Sequence, residues 1–153
     1  MTKITDLLRL IRLPNLLIIL LTQLLIKFTL INPFLDDFAL SNINFSILVL
    51  ATVLITASGY IINDIYDVQT DKINKNAKRI IGKSIKSRNA IFWYLSLNLL
   101  GFLLGIYISY IVGRIFFSFI FLYCIFSLWT YSKHMKTSFL LGNIQVSILT
   151  GLS

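Results

Sequence analysis

The sequence contains no glutamate, one cysteine, one histidine and two prolines, and only 13% of its residues are charged. A single cysteine excludes a disulfide within the chain, and the apolar and aromatic neighbours of Cys124 predict a buried, unreactive thiol. The scarcity of charge also excludes a soluble domain, because 153 residues that are 57% hydrophobic cannot bury that much apolar surface. The composition therefore predicts an integral membrane protein.

Apolar segments recur along the chain, and most have about the 20 residues that a helix needs to cross the hydrocarbon core. They cover residues 13–31, 45–65, 90–112 and 115–131, and a further one begins near Phe139 and is still apolar at Ser153. The two prolines flank the first segment, where they interrupt no helix. We expect an all-α, polytopic transmembrane bundle that forms a single membrane domain over residues 1–153. About five helices are expected here, with others beyond the last residue.

The third segment carries small residues at every fourth position, namely Gly101, Gly105, Ser109 and Gly113. Such a stripe predicts a face on which another helix packs closely. Since only Gly113 and Arg114 separate the third segment from the fourth, these two are expected to form a tight antiparallel hairpin.

The basic residues indicate the orientation of the chain. Two crossings separate each basic group from the next, so all three groups lie on one side: Lys3, Arg9 and Arg12; Lys72, Lys75, Lys78, Arg79, Lys83, Lys86 and Arg88; and Lys133 and Lys136. The other side has Arg114 with Asp36 and Asp37. The positive-inside rule therefore places the N-terminus and the basic loops in the cytoplasm, at the cell membrane. The net charge of +8 favours anionic lipids or an anionic substrate over nucleic acid as the partner.

The few acidic residues are concentrated at the end of the second segment. Asp64, Asp67 and Asp71 account for three of the six acids in the chain, and their spacing of i, i+3 and i+7 puts them on one face of a helix. Carboxylates crowded at the mouth of a membrane helix repel one another, which a hard divalent cation between them relieves. We predict that the three aspartates bind Mg²⁺ and are catalytic. A solvated helix boundary balanced by nearby lysines is the alternative.

The basic residues after this motif suit a substrate that carries a diphosphate. Magnesium keeps waters and takes phosphate oxygens as ligands, and metal and cationic side chains together neutralise the charge of a departing pyrophosphate. Asn63 is expected to contact a phosphate oxygen or to orient an aspartate. His134 is expected to lie in a loop.

Several motifs resemble those of the UbiA-type membrane prenyltransferases. The run Asn63-Asp64-x-x-Asp67-x-x-x-Asp71 resembles the first aspartate-rich motif of that family. The stretch from Asp71 to Lys75, with Lys78-Arg79, is similar to the family's continuation, except that Arg79 or Ile80 stands where proline is usual. Tyr131-Ser132-Lys133-His134-Met135-Lys136 resembles the family's Tyr-(Ser/Thr)-x-x-x-Lys segment, and Gly142-Asn143 its downstream glycine–asparagine pair.

The resemblance implies a helical bundle around a central cavity, with two aspartate-rich motifs that bind Mg²⁺ and a prenyl diphosphate. It implies transfer of the prenyl group to an aromatic or glycerol-phosphate acceptor with release of pyrophosphate. The second motif would lie beyond Ser153, so we expect the isolated chain to be inactive. The substrate-binding residues that match the family pattern are Asn63, Lys75, Lys78, Arg79, Tyr131, Lys136 and Asn143.

The acceptor and the reaction class leave alternatives open. The stretches 59–64 and 81–83 most resemble geranylgeranylglycerol-phosphate geranylgeranyltransferases, with a quinone precursor as the other acceptor. A Mg²⁺-dependent CDP-alcohol phosphotransferase also uses aspartates on helices, although its Asp-Gly-x-x-Ala-Arg start is absent here. A cation-coupled transporter usually binds its ions near the bilayer midplane, whereas these aspartates lie at a helix end.

Overall fold

The computed structural model describes residues 3–34, 40–74, 80–135 and 138–152, and for Lys3, residues 69–74 and Phe139 it describes the backbone alone. Across these ranges the chain is helical apart from turns and one isolated bridge. The helices are α1 (Lys3–Leu10), α2 (Leu13–Leu25), α3 (Asn42–Asn74), α4 (Ser87–Ile111), α5 (Ser118–Lys133) and α6 (Phe139–Leu152). A π-helix over Ile26–Ile31 extends α2, and a 3₁₀ turn over Ile115–Phe117 precedes α5. The expected all-α fold is confirmed.

Within the described ranges, four helical stretches are long and apolar enough to cross a membrane, and they coincide with the predicted segments to within a few residues. They are Leu13–Ile31, Asn42–Val68, Ser87–Ile111 and Ile115–Lys133, and the shorter apolar helix Leu140–Leu152 follows. From α2 to α6 consecutive helices run in opposite directions, so the ends of α3 and α5 meet the beginnings of α2, α4 and α6, as the contacts of Arg12 with Asp64, Ala90 with Ile61 and Gly142 with Met135 show. We call this the aspartate end of the bundle, because it holds Asp64 and Asp67.

The length of α3 explains how the motif reaches the membrane surface. Its 33 residues span about 50 Å, which exceeds the roughly 30 Å of the hydrocarbon core. Within the span, the hydroxyls of Thr52, Thr56 and Ser58 donate to carbonyls of the preceding turn at 3.1, 2.9 and 2.6 Å. These polar groups are therefore satisfied inside the helix, and nothing in the apolar span interrupts it.

Two glycines of α4 provide the close packing that the small-residue stripe predicts. A Cβ atom on Gly101 would lie 2.7 Å from Cγ1 of Ile55 on α3, and one on Gly105 would lie 2.5 Å from Cγ of Phe121 on α5. Ser109 is also buried. Because the first glycine faces α3 and the second faces α5, α4 packs closely against both helices.

Gly113 does not belong to this packing surface, which corrects the prediction at that position. It lies beyond the end of α4, and nothing lies within 4 Å of the place where its Cβ would be. Its φ of 72° is left-handed, a conformation that glycine adopts without steric cost. Gly113 therefore forms the turn of the predicted hairpin between α4 and α5.

A small apolar cluster closes the aspartate end. Leu10 of α1, Ile61 of α3, Ala90 of α4 and Ile81 of the intervening turn are at most 2% exposed and pack together. The turn is closed by a hydrogen bond from the Gly82 N–H to the Ile85 carbonyl at 2.8 Å. The cluster therefore packs three segments against α3, one turn before Asp64. These segments are α1, the turn that contains Ile81, and the start of α4.

Lys27 is the charged residue within the first span, and it is 2% exposed. Its Nζ donates to Oδ1 of Asn42 at 2.7 Å and lies 4.3 Å from the ring centroid of Phe45. A hydrogen bond and an aromatic face both stabilise a cation away from water. Lys27 thereby joins the far end of the first span to the start of α3.

Candidate active site

The first two aspartates of the motif lie one helical turn apart on α3, and each has a polar partner. Nη2 of Arg12 lies 3.3 Å from Oδ1 of Asp64, and the amide of Asn63 donates to Oδ2 of Asp67 at 3.0 Å. The side chains of Arg12 and Asp64 are 44% and 27% exposed. An ion pair this exposed contributes only about 0.2–1 kcal/mol, so Arg12 neutralises Asp64 without making it inaccessible.

The backbone and an aromatic ring together direct Arg12 toward the motif. Arg12 has φ 54° and ψ 54°, and Pro14 follows in the first turn of α2. A left-handed backbone costs a non-glycine residue about 1–2 kcal/mol, and here it ends α1, with the Arg12 N–H donating to the Arg9 carbonyl at 3.1 Å. The guanidinium carbon lies 4.8 Å from the ring centroid of Tyr60, whose hydroxyl accepts a hydrogen bond from the Asn15 amide at 3.3 Å.

A cavity of about 750 Å³ begins at this cluster and extends between the helices. Arg12, Tyr60, Asn63 and Tyr131 line it at the aspartate end. On α3 the lining continues from Asn63 back to Leu48, which is a rise of about 22 Å. The remaining walls are mostly apolar and include Ile19, Ile55, Ile108, Phe117, Ile120, Phe121, Leu128, Val146 and Leu149. This shape suits a molecule with an anionic head and a long apolar tail.

The structure brings some of the predicted site residues together. Asp64, Asp67 and Asn63 form one cluster, and Tyr131 lines the adjoining cavity. The α3 backbone is helical through Asp71, which keeps that residue in register with the first two aspartates. The side chain of Asp71 lies outside the described part of the chain, and so do the predicted substrate-binding residues Lys75, Lys78, Arg79 and Lys136.

Two further residues of the predicted motifs have exposed side chains. Asn143 is exposed on α6 and is not among the described residues that line the cavity, and its substrate-binding role stays a prediction. His134 lies exposed in the turn after α5, which is the loop position expected of it.

Cys124 corrects another expectation. The sequence predicts a buried thiol, but this side chain is half-buried and lines the cavity. Its apolar neighbours along the chain are equally compatible with helix packing and with a cavity wall, and the face of α5 that carries Cys124 borders open space.

Arg12, Asn15 and Tyr60 are site residues that the motif did not reveal. One signal was present, because Tyr60 precedes Asp64 by four positions and residues at that spacing share a helix face. The contact of Arg12 with Asp64 spans 52 positions, and charge alone does not single out Arg12 from the other basic residues at this end.

The donor set fits a hard divalent cation. Carboxylate oxygens such as those of Asp64 and Asp67 are the ligands that Mg²⁺ prefers, and it retains waters and substrate phosphate oxygens as its other ligands. A positive group, the Arg12 guanidinium, already lies beside Oδ1 of Asp64. Among the side chains that the structure describes, no three His, Cys, Asp or Glu residues are gathered as a metal site.

Comparison with known proteins identifies similar sequences and a similar structure. A model of the UbiA prenyltransferase family matches residues 16–153. Digeranylgeranylglyceryl phosphate synthase of Sulfurisphaera tokodaii is 37% identical over 100 residues, which cover 65% of this chain and 34% of that protein. The synthase of that name from Methanosarcina mazei is 31% identical over 119 residues, covering 78% and 37%.

A solved structure from work on digeranylgeranylglyceryl phosphate synthase in membranes superposes with a TM-score of 0.81 at 26% identity. The superposition covers 99% of this chain and 51% of the other. The chain therefore spans about half of that solved chain, and it matches about a third of the length of the curated relatives.

Proposed function

This chain belongs to the UbiA prenyltransferase family, and we propose that it forms the donor-binding part of an enzyme that transfers a geranylgeranyl group to a glycerol-phosphate acceptor. The observation that carries the proposal is the cavity, which begins at Arg12 and Asn63, the partners of Asp64 and Asp67, and continues between apolar walls. A prenyl diphosphate has the same division into a charged head and an apolar tail. The names of the relatives support the geranylgeranyl donor and the glycerol-phosphate acceptor.

In this proposal the residues of the aspartate end act on the diphosphate. Asp64, Asp67 and Asp71 hold Mg²⁺, which when bound neutralises the diphosphate and makes it a better leaving group. Asn63 keeps Asp67 oriented through its amide. The cationic side chains of the basic segment and the hydroxyl of Tyr131 contact phosphate oxygens. The proposed set there is Lys75, Lys78, Arg79, Tyr131 and Lys136.

The transfer itself exchanges one C–O bond for another. The bond between the prenyl carbon and the diphosphate breaks, and its electron pair leaves with pyrophosphate. An oxygen of the acceptor hydroxyl supplies the electron pair of the new bond and loses its proton to water. Apolar walls exclude other water molecules from the prenyl carbon, so that the acceptor captures it in preference to hydrolysis.

The chain is a multi-pass membrane protein, and we propose that its aspartate end faces the cytoplasm at the cell membrane. Lys83, Lys86 and Arg88 are exposed at that end, whereas Arg114 lies at the opposite end, a distribution that favours this orientation. Residues 1–153 act as a single membrane domain in this proposal. The activity is proposed for the whole protein, with a second aspartate-rich motif in the part of the fold that the longer relatives possess.

Replacement of the aspartates tests the metal assignment. Membranes that contain the whole enzyme would be assayed for Mg²⁺-dependent pyrophosphate release from geranylgeranyl diphosphate. We expect Asp64→Asn and Asp67→Asn each to lower the rate by on the order of 100-fold, since electrostatic stabilisation of a leaving group contributes at that level. Undiminished activity in both variants would remove the metal assignment.

Cys124 permits a test of the cavity that needs no turnover. It is the sole cysteine of the chain, and it lies about 10 Å along α5 from Tyr131. We expect geranylgeranyl diphosphate with Mg²⁺ to slow the labelling of Cys124 by a membrane-permeant maleimide, because the prenyl tail covers it. Pyrophosphate with Mg²⁺ is the matched control and should leave the labelling rate unchanged. Equal rates with both compounds would contradict the assignment of the cavity to the tail.

A further inference from the structure

Arg12 lies where it competes with a metal ion for Asp64. Its Nη2 is 3.3 Å from Oδ1 of that carboxylate. A guanidinium and a divalent cation that share one carboxylate repel each other, so each weakens the binding of the other. By linkage this effect is reciprocal: the ion pair lowers the affinity for metal by the same factor by which the metal weakens the ion pair.

We infer that Arg12 is a placeholder cation, which leaves Asp64 when Mg²⁺ binds and then contacts a phosphate group of the substrate. The inference rests on the proposed function, because the metal and the phosphate both belong to that site. Under this inference Arg12 sets the order of binding. Its guanidinium can contact the substrate phosphate only after the metal has displaced it from Asp64.

Exposure and the support from Tyr60 allow this exchange. The side chains of Arg12 and Asp64 are 44% and 27% exposed, so water and metal reach both. The guanidinium carbon lies 4.8 Å from the Tyr60 ring centroid, and attraction to the face of a ring does not depend on which N–H groups point toward Asp64. Because Asn15 holds the Tyr60 hydroxyl at 3.3 Å, the ring provides a fixed surface on which the guanidinium turns.

Arg12 also lies on the wall of the cavity, together with Tyr60 and Asn63. A guanidinium has five N–H donors in a planar fork that matches the geometry of a phosphate. Arg12 directly precedes α2, and its side chain lies beside both Asp64 and the cavity. The exchange therefore requires only a movement of the Arg12 side chain. Both the diphosphate of the donor and the phosphate of the acceptor offer the oxygens that this fork recognises.

Metal affinity tests the placeholder role directly. Binding of Mn²⁺ to the purified chain would be measured by electron paramagnetic resonance, in which free and bound ions are distinguished. We expect Arg12→Gln to lower the Kd for Mn²⁺ by about two- to fivefold, the equivalent of an exposed ion pair. Arg12→Lys, which retains the charge, should bind Mn²⁺ as the unaltered chain does.

The matched control is Arg88→Gln, which removes the same charge from an exposed position at the same end of the bundle. It should change the Kd by less than Arg12→Gln does. Equal or weaker Mn²⁺ binding by Arg12→Gln than by the unaltered chain would overturn the inference, and so would an equal gain in Arg88→Gln.

Two anions distinguish the sources of the phosphate. Pyrophosphate represents the donor and glycerol phosphate the acceptor, and each would be added during the Mn²⁺ titration. We expect one of them to tighten Mn²⁺ binding by a larger factor in the unaltered chain than in Arg12→Gln, and that anion identifies the group that Arg12 contacts. If the factor is the same in both chains for both anions, the phosphate contact is overturned.

Asp64→Asn separates this inference from the proposed function. If Asp64→Asn binds Mn²⁺ as well as the unaltered chain, the metal assignment fails and the placeholder role fails with it. If Asp64→Asn weakens binding but Arg12→Gln does not strengthen it, only the placeholder role is overturned.

Discussion

At the scale of single residues, the direction in which Asp67 points depends on Asn63. The amide of Asn63 donates to Oδ2 of Asp67 at 3.0 Å, and such a contact orients a carboxylate for a metal. We expect Asn63→Ala to lower Mn²⁺ affinity or prenyl transfer by about 10- to 100-fold, the usual effect of removing a group that orients a ligand. Mn²⁺ affinity would be measured by electron paramagnetic resonance, and prenyl transfer by the release of pyrophosphate from geranylgeranyl diphosphate.

The matched control for that substitution is Asn89→Ala, which changes the same residue type in the exposed first turn of α4. It should have little effect, because the Asn89 side chain is exposed and does not line the cavity. Equal losses in the two variants would mean that Asn63 acts through general stability and does not position Asp67.

The sequence predicts the aspartate cluster well because its residues are close along one helix. Residues at i and i+3, such as Asp64 and Asp67, lie on one face of any α-helix because of the helical period. Arg12 could not be found in this way, because its contact with Asp64 depends on how α2 and α3 cross. The left-handed backbone of Arg12 follows the end of α1, where the Arg12 N–H donates to the Arg9 carbonyl at 3.1 Å; such helix ends are usually signalled in a sequence by glycine, which is absent here.

At the scale of helices, the joint between α5 and α6 depends on one glycine. A Cβ on Gly142 would lie 2.7 Å from the backbone oxygen of Met135, which cannot rotate away as a side chain does. We expect Gly142→Ala to displace α6 and to stretch the contacts of Gln145 with Ser127, which are 2.6 Å long. The expected cost is about 1–3 kcal/mol of unfolding free energy, measured by denaturation in detergent.

Gly151 provides the matched control on the same helix. Nothing lies within 4 Å of the place where its Cβ would be, and alanine favours a helix over glycine by up to about 1 kcal/mol. Gly151→Ala should therefore be neutral or stabilising. A loss of stability in Gly151→Ala as large as in Gly142→Ala would show that the contact with Met135 is not the cause.

The spans were predictable at this scale, whereas the helix before them was not. Apolar length alone identifies helices that cross the membrane, and the segments agree with α2 to α5 to within a few residues. Helix α1 has only 8 residues, too few to form a stable helix without packing. Its Leu10 is buried against Ile61 and Ile81, and partners so far apart along the chain leave no local signal.

At the scale of the whole molecule, the distribution of basic residues between the two ends could be predicted from the residues themselves, whereas the central cavity was expected only from the resemblance to a family. The prediction that all basic groups lie on one side of the membrane follows from counting the crossings between them, which needs no knowledge of how the helices pack. The cavity depends on which faces of five helices leave space between them, and residues such as Cys124 and Phe121 read equally well as packed core. The division of the cavity into a polar mouth and an apolar interior is therefore the main result of the structure that bears on function.

The orientation of the chain can be tested with cysteines at the two ends of α4. This helix has 25 residues and a length of about 37 Å, so Lys83 before it and Arg114 after it lie on opposite sides of a hydrocarbon core about 30 Å thick. Both side chains are exposed. In a chain that carries Cys124→Ser, Lys83→Cys and Arg114→Cys would be introduced separately and labelled in intact cells with a membrane-impermeant maleimide.

We expect Arg114→Cys to be labelled in intact cells, because the positive-inside rule places its turn outside. Lys83→Cys should be labelled only after the membrane is permeabilised, and Cys124→Ser alone should not be labelled in either condition. The reverse pattern would place the aspartates on the outer face, away from cytoplasmic prenyl diphosphate, and would contradict the proposed function as well as the orientation. Labelling of both positions in intact cells would instead mean that α4 does not cross the membrane.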